Sequence, residues 1–106
     1  MGIVKYNKLV RDRIPEIIRA SGKQALVDKV HDERLLSFLN NKLQEELAEY
    51  DKSGDIEELA DLVKVIYTIL DYKGISLDRF NRIREEKNRK RGAFKGGLVL
   101  KKVIEE

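Results

Sequence analysis

The chain contains no cysteine, and only one proline, one methionine and one histidine in 106 residues. Without cysteine, disulfides, thiol catalysis and thiolate metal sites are excluded in one step. There is no apolar run of the roughly eighteen residues that a membrane helix needs, and no signal-peptide pattern opens the chain. A soluble, cytoplasmic protein with no membrane partner is therefore expected. A phosphate-cradling loop is missing too, because "KGGL" lacks the G-x-x-x-x-G-K-[ST] pattern. No internal repeat or low-complexity linker divides the sequence, which reads as a single domain over 1–106.

What is present describes an ordered, helix-rich globule: 42% of residues are hydrophobic and 39% are charged. A chain this short buries a modest core by itself, so a core completed by a second copy is expected. The net charge is only +3, but it is unevenly placed. Acids concentrate between residues 45 and 61, whereas residues 82 to 102 hold nine Lys or Arg against two Glu. Lys5, Lys8, Arg11 and Arg13 form a second basic group. Such asymmetry suits a polyanionic partner, either a nucleic acid or the phosphates of a small molecule.

The opening "YNKLVRDRIPEIIRASGK" starts irregularly. Pro15 favours a helix's first turn and Gly22 a stop, which predicts a short helix over 13–21. "KQALVDKV" can form a short strand over 25–30, and Asp32 can N-cap a long helix over 33–52. "KSGD" then breaks the chain, with Gly54 as the turn and Asp55 as the next N-cap. A third helix runs to Tyr72, and Ser76 caps a fourth over 77–90. The terminal "LVLKKVI" is strand-like, and over 98–104 it can pair with 25–30. The fold class is mainly α: a helical bundle on an antiparallel αα-hairpin, with room for a small two-stranded β element, completed by oligomerisation.

The hairpin segment "LQEELAEYDKSGDIEELADL" has eight carboxylates in twenty residues. At about 100° per residue, Leu35, Leu36, Leu39, Leu43, Leu47 and Tyr50 form one apolar stripe, and Glu46 falls inside it. Glu49 sits at the edge of the stripe and Glu45 lies further round. On the next helix, Ile56, Leu59, Ala60, Val63, Ile66, Tyr67 and Leu70 form a wide stripe, which Leu62, Val65 and Ile69 extend. Glu58 falls inside this region and Asp61 borders it. A carboxylate in an apolar stripe is costly unless a cation or donor compensates it.

The acids are also related through the turn. Glu49 and Glu58 are equally far from its centre, and so are Glu46 and Asp61. In an antiparallel hairpin equal distances bring residues to the same height, and residues three apart share a face. Glu46, Glu49, Glu58 and Asp61 can therefore form one cluster of four anions. Oxygen-only ligation of that kind suits Mg²⁺ or Mn²⁺ rather than Zn²⁺. The competing reading is a salt-bridge network in which Lys42, Lys64 or arginines neutralise the same acids.

The pattern E-x-x-E in "EELAE" followed by E-x-x-D in "EELAD" resembles the MazG-like all-α NTP pyrophosphohydrolases, a superfamily that includes phosphoribosyl-ATP pyrophosphohydrolase. The opening "YNKLVRDRIPEII" and the later "EEKNRKRGAFKGG" are similar to a small single-domain branch of it. The resemblance implies a bundle completed by dimerisation or higher assembly, with Mg²⁺ (Mn²⁺ able to substitute) held by Glu46, Glu49, Glu58 and Asp61. It implies cleavage of a (d)NTP between the α and β phosphates, in nucleotide-pool cleaning, with Glu45 and Glu46 as catalytic acids and Glu45 either orienting the attacking water or binding a further ion. Phosphoribosyl-ATP is the alternative substrate. Two departures from the branch are a shorter spacer between Glu49 and Glu58, and Ala93 where a second glycine is common.

Basic side chains should supplement the metal in phosphoryl-type chemistry. The candidates for phosphate and nucleotide binding are Asn7, Lys8, Arg11 and Arg13 in the opening segment, with Lys87 and Arg91 near the end of the fourth helix. Arg84, Arg89, Lys90, Lys101 and Lys102 read as solvated. Phe94 reads as a packing residue, with base stacking as its alternative, and His31 as a capping or surface residue. A non-enzymatic module that binds nucleic acid through the basic tail is the reading from another class. It is disfavoured because a polyanion does not gain from four nearby carboxylates.

Overall fold

The computed structural model describes residues 2–106 and contains four helices. They are α1 (Ile14–Ala20), α2 (Asp32–Ser53), α3 (Ile56–Lys73) and α4 (Leu77–Arg91). The chain groups into two compact units, Met1–Gly74 and Ile75–Glu106. No helix among the described residues is long and apolar enough to cross a membrane.

In the first unit, α1 starts with Pro15 in its first turn, where the missing N–H has no helical partner to lose. For α2, His31 takes the N-cap position in place of the expected Asp32, which becomes the first helical residue with φ +51°. Asp32 and Glu33 still place two negative charges at the helix's positive end. Gly54 ends α2 with φ +70° and donates its N–H to the Tyr50 carbonyl at 2.7 Å. A side chain at that φ would crowd its own backbone, so glycine is the residue that makes this turn. Asp55 N-caps α3 as expected, but its N–H donates to Ser53 Oγ at 3.1 Å and its side chain makes no capping bond.

The packing of α2 against α3 is the principal contact between elements in this unit. Its buried centre consists of Leu39, 1% exposed, with Val65 and Leu70 from α3. Leu35, Leu36, Leu43, Leu59, Leu62, Ile66 and Ile69 are half-buried around it. A two-helix hairpin covers one side of each helix, and the rest of the wide apolar surface stays open. Leu47, Ile56, Val63 and Tyr67 are all exposed. The expected stripe is therefore only half used within the unit.

In the second unit, Ser76 Oγ accepts the Arg79 backbone N–H at 3.2 Å, the cap that the sequence predicts. Helix α4 buries none of its residues. The chain beyond it, residues 92 to 106, forms turns and irregular backbone.

The expected two-stranded element is not present. Neither 25–30 nor 98–104 is a strand, and no backbone hydrogen bond joins them. The apolar character of both segments is genuine but stays in solvent, with Leu26 96% and Leu98 93% exposed. Apolar residues alone do not make a strand; a ladder partner must satisfy its N–H and C=O groups, and neither segment has one.

Leu39→Ala should destabilise the protein by about 2–4 kcal/mol, the usual range for emptying a buried leucine site, whereas Leu47→Ala should cost under about 1 kcal/mol. Chemical denaturation of both variants measures the difference.

Candidate metal centre

Three of the four acids singled out by the sequence come together. Glu46 from α2 and Glu58 and Asp61 from α3 each present a carboxylate oxygen within 4.8 Å of the others. Glu46 is the one buried charged residue among those described, at 8% exposure; Glu58 and Asp61 are half-buried. Glu49 lies outside the group and is exposed. One E-x-x-E step rotates about 60° short of a full turn, and that offset carries Glu49 toward solvent while Glu46 points inward. Its charge still acts on Glu58.

The opening segment is tied to this region by two ion pairs. Lys8 Nζ donates to Glu45 Oε1 at 2.9 Å, and Arg11 Nη2 donates to Asp61 Oδ1 at 2.6 Å. Lys42, one turn before the acids on α2, reaches Glu45 at 3.4 Å and Glu46 at 3.3 Å. The Lys8 ammonium also lies over the Tyr6 ring, 5.5 Å from its centroid. Lys8 and Arg11 thus stand beside the cluster, each ion-paired with one of the acids. Arg13 does not: it pairs locally with Glu16 at 3.5 Å and points into solvent. Asn7 has φ +47° and its side chain makes no hydrogen bond among the described residues. Lys87 and Arg91 belong to the second unit.

These contacts divide the acids into two kinds. For Glu45, withdrawal from water raises the carboxyl pKa, but the Lys8 hydrogen bond and the nearby Lys42 outweigh it, and the net value is lowered. Lys8 is raised in turn, chiefly by its hydrogen bond to Glu45. Glu58 has no cationic side chain within salt-bridge distance among the described residues. Its pKa is raised, first by withdrawal from water, then by the charges of Glu46, Asp61 and Glu49. Withdrawal from water first, and the neighbouring acids second, thus disfavour the charged form of this carboxyl.

The donor set fits a hard divalent cation. Three carboxylates from two helices, with no nitrogen or sulfur donor, are the donor type of Mg²⁺ or Mn²⁺ rather than of Zn²⁺. Tyr6 and the pairing roles of Lys8 and Arg11 were not separable in the sequence. The pairs join residues 37 and 50 positions apart, and only the spacing of Tyr6 and Lys8, two apart in irregular chain, hinted that they share a side.

No family model matches the chain, and no solved structure matches it. The chain is similar to an uncharacterized protein of Mycolicibacterium smegmatis, 50% identical over 53 residues, which is 50% of this chain and 53% of that protein. The match thus spans about half the length of either chain.

The pKa directions set the pH behaviour. Glu58, raised in the fold, contributes stability at low pH that is lost as pH rises through its raised value. Glu45, lowered, contributes above the ordinary carboxylate range and loses that contribution as pH falls through its lowered value. In chelator, Glu58→Gln should therefore raise the thermal midpoint at pH 7, and the gain should fade at acid pH where Glu58 is already neutral. A lowered midpoint at pH 7 would show instead that the carboxylate is held by a cation of the chain. Lys8→Ala should cost at most about 1 kcal/mol at pH 7, as for other partly exposed pairs, and progressively less as Glu45 is protonated, read by the same melting series.

Proposed function

We propose that this protein is a Mg²⁺-dependent nucleotide pyrophosphohydrolase. It would add water across the anhydride between the α and β phosphates of a (d)NTP, giving a nucleoside monophosphate and pyrophosphate, in keeping with nucleotide-pool cleaning. The observation that carries this reading is the convergence of Glu46, Glu58 and Asp61, with no cationic side chain within salt-bridge distance of Glu58 among the described residues. The resemblance of "EELAE", "EELAD" and "YNKLVRDRIP" to MazG-like enzymes supports the same reaction. Phosphoribosyl-ATP remains the alternative substrate within that chemistry.

When bound, Mg²⁺ or Mn²⁺ would neutralise the triphosphate and lower the pKa of the attacking water. Glu46, Glu58 and Asp61 would hold it, with the exposed Glu49 in a supporting electrostatic role. Glu45, held ionised by Lys8 and Lys42, would orient the attacking water or bind a further ion. Arg11, paired with Asp61 through one oxygen, holds that carboxylate in place and adds positive charge where phosphates would enter. The exposed Leu47, Ile56, Val63 and Tyr67 support a bundle completed by further copies, a dimer or tetramer.

A structural reading has its own observation in favour: Lys42 pairs with Glu46 and Arg11 with Asp61. A purely stabilising network, however, leaves Glu58 and Glu49 unexplained. Incubating the protein with Mg²⁺ and a panel of (d)NTPs, with pyrophosphate as the readout, should give turnover of at least one, abolished by EDTA. Glu58→Gln and Asp61→Asn should each lower kcat about a hundredfold or more, comparable to losing one key electrostatic contact in other enzymes, with the helical signal retained. No pyrophosphate from any nucleotide, together with destabilisation by both substitutions, would establish the structural reading instead.

A further inference from the structure

Of the chain's 22 lysines and arginines, Lys42 is the one that is not exposed. Its side chain is 16% exposed, and its ammonium lies 3.3 Å from Glu46 Oε1 and 3.4 Å from Glu45 Oε1. A lysine usually carries its charge out to water along an extended stem. This one turns its charge to two carboxylates instead. Withdrawing an ammonium from water is costly, so solubility does not explain the position.

Helix stabilisation does not explain it either. Lysine four residues ahead of glutamate is the weaker order of a helical ion pair. Lys42 also lies near the middle of α2, away from the ends where the helix dipole acts. What sets it apart is the pair of acids that it joins. Glu46 is the buried carboxylate of the three-acid group, whereas Glu45 stands outside that group. Consecutive residues point about 100° apart round a helix, so these two carboxylates diverge unless something holds them. A single ammonium in reach of both does so. Lys8 reaches the same Oε1 of Glu45, at 2.9 Å, but makes no ion pair with Glu46. The other oxygen of Glu45, Oε2, accepts no hydrogen bond among the described residues.

A cation so placed has two opposing effects. It fixes Glu45 relative to Glu46, which aids any reaction that needs both carboxylates in register. It also sets a positive charge beside an acid that would hold a metal, and that charge repels a divalent ion. We propose that Lys42 is a positioning residue of the metal centre, tying Glu45 to Glu46 and keeping divalent-cation affinity below what the acids alone would give. The proposal rests on the function proposed above, which gives Glu46 a metal ion and Glu45 a part in the reaction.

The test reads Mn²⁺ binding and turnover separately in the full chain. Free Mn²⁺ is followed by electron paramagnetic resonance during a titration, and pyrophosphate release from the (d)NTP panel is measured in parallel. Lys42→Met keeps an apolar stem and removes the charge. It should bind Mn²⁺ about fivefold or more tightly, because a unit charge a few ångströms away is gone. Its kcat should nevertheless fall about tenfold or more, from lost alignment. Lys42→Gln should behave in the same way, and Lys42→Arg should restore both values. In EDTA, Lys42→Met should melt at a lower temperature, since Glu46 then stays buried without its cation, and saturating Mn²⁺ should recover the loss.

A midpoint lowered equally with and without Mn²⁺, at unchanged Mn²⁺ affinity, would make Lys42 a merely structural residue and overturn the proposal. Weaker Mn²⁺ binding in Lys42→Met and Lys42→Gln would overturn it as well. Undiminished kcat in those variants would do so too, while leaving the proposed reaction standing. Tighter Mn²⁺ binding in a protein that hydrolyses no nucleotide would keep Lys42 as the cation that sets metal affinity and remove the reaction. Absence of Mn²⁺ binding in the unmodified protein and in every variant would remove both.

Discussion

At Gly54 the chain reverses through a left-handed residue, φ +70°, and this reversal lays α3 antiparallel beside α2. The apolar centre and the acids of the first unit both depend on it. Residues equally distant from the turn meet at one height, so Leu39 finds Val65 and Leu70 nearby in the core, and Glu46 finds Asp61. Glu58, in the first turn of α3, joins the same group. A longer, looser connection would leave that register unspecified and the acids free to separate into solvent.

The electrostatic consequence is a site that the chain compensates only in part. Lys42 and the opening segment supply cations to Glu45, Glu46 and Asp61, so those acids can be held close without prohibitive repulsion. Glu58 receives none, and its carboxyl shifts toward the neutral form. Full neutralisation by the chain would give a stable but chemically inert patch; no neutralisation would open the hairpin. Partial neutralisation leaves three carboxylates close together, one of them without a cationic side chain within salt-bridge distance among the described residues. The opening segment contributes to the same balance, for it has little regular structure of its own and is held against α2 and α3 through Lys8 and Arg11.

The second unit shows the inverse pattern on a single helix. Glu86 satisfies Arg89 and Lys90, while Arg84, Lys87 and Arg91 face an open concavity beside Phe94 without an acid. One unit thus carries anions short of cations, and the other cations short of anions.

Helix positions and the choice of acids were legible in the sequence because both follow from local rules. Pro15, Gly54, Gly74 and Ser76 mark ends that the structure keeps within a residue or two, since caps and turns depend on neighbours in the chain. The intrusion of Glu46 and Glu58 into apolar stripes depends on helical period alone. Where partners had to come from far along the chain, spacing could not decide. The segments 25–30 and 98–104 have strand-like composition but no ladder, Phe94 has an apolar side chain but no cover, and Glu49 lies one rotation too far from the cluster. By itself the sequence determined which residues are helical, where the hairpin turns and which carboxylates sit among apolar side chains. Only the tertiary structure decided which of those acids meet and which cation each one receives. Those outcomes turn on distances of a few ångströms between residues tens of positions apart, and no local periodicity specifies them.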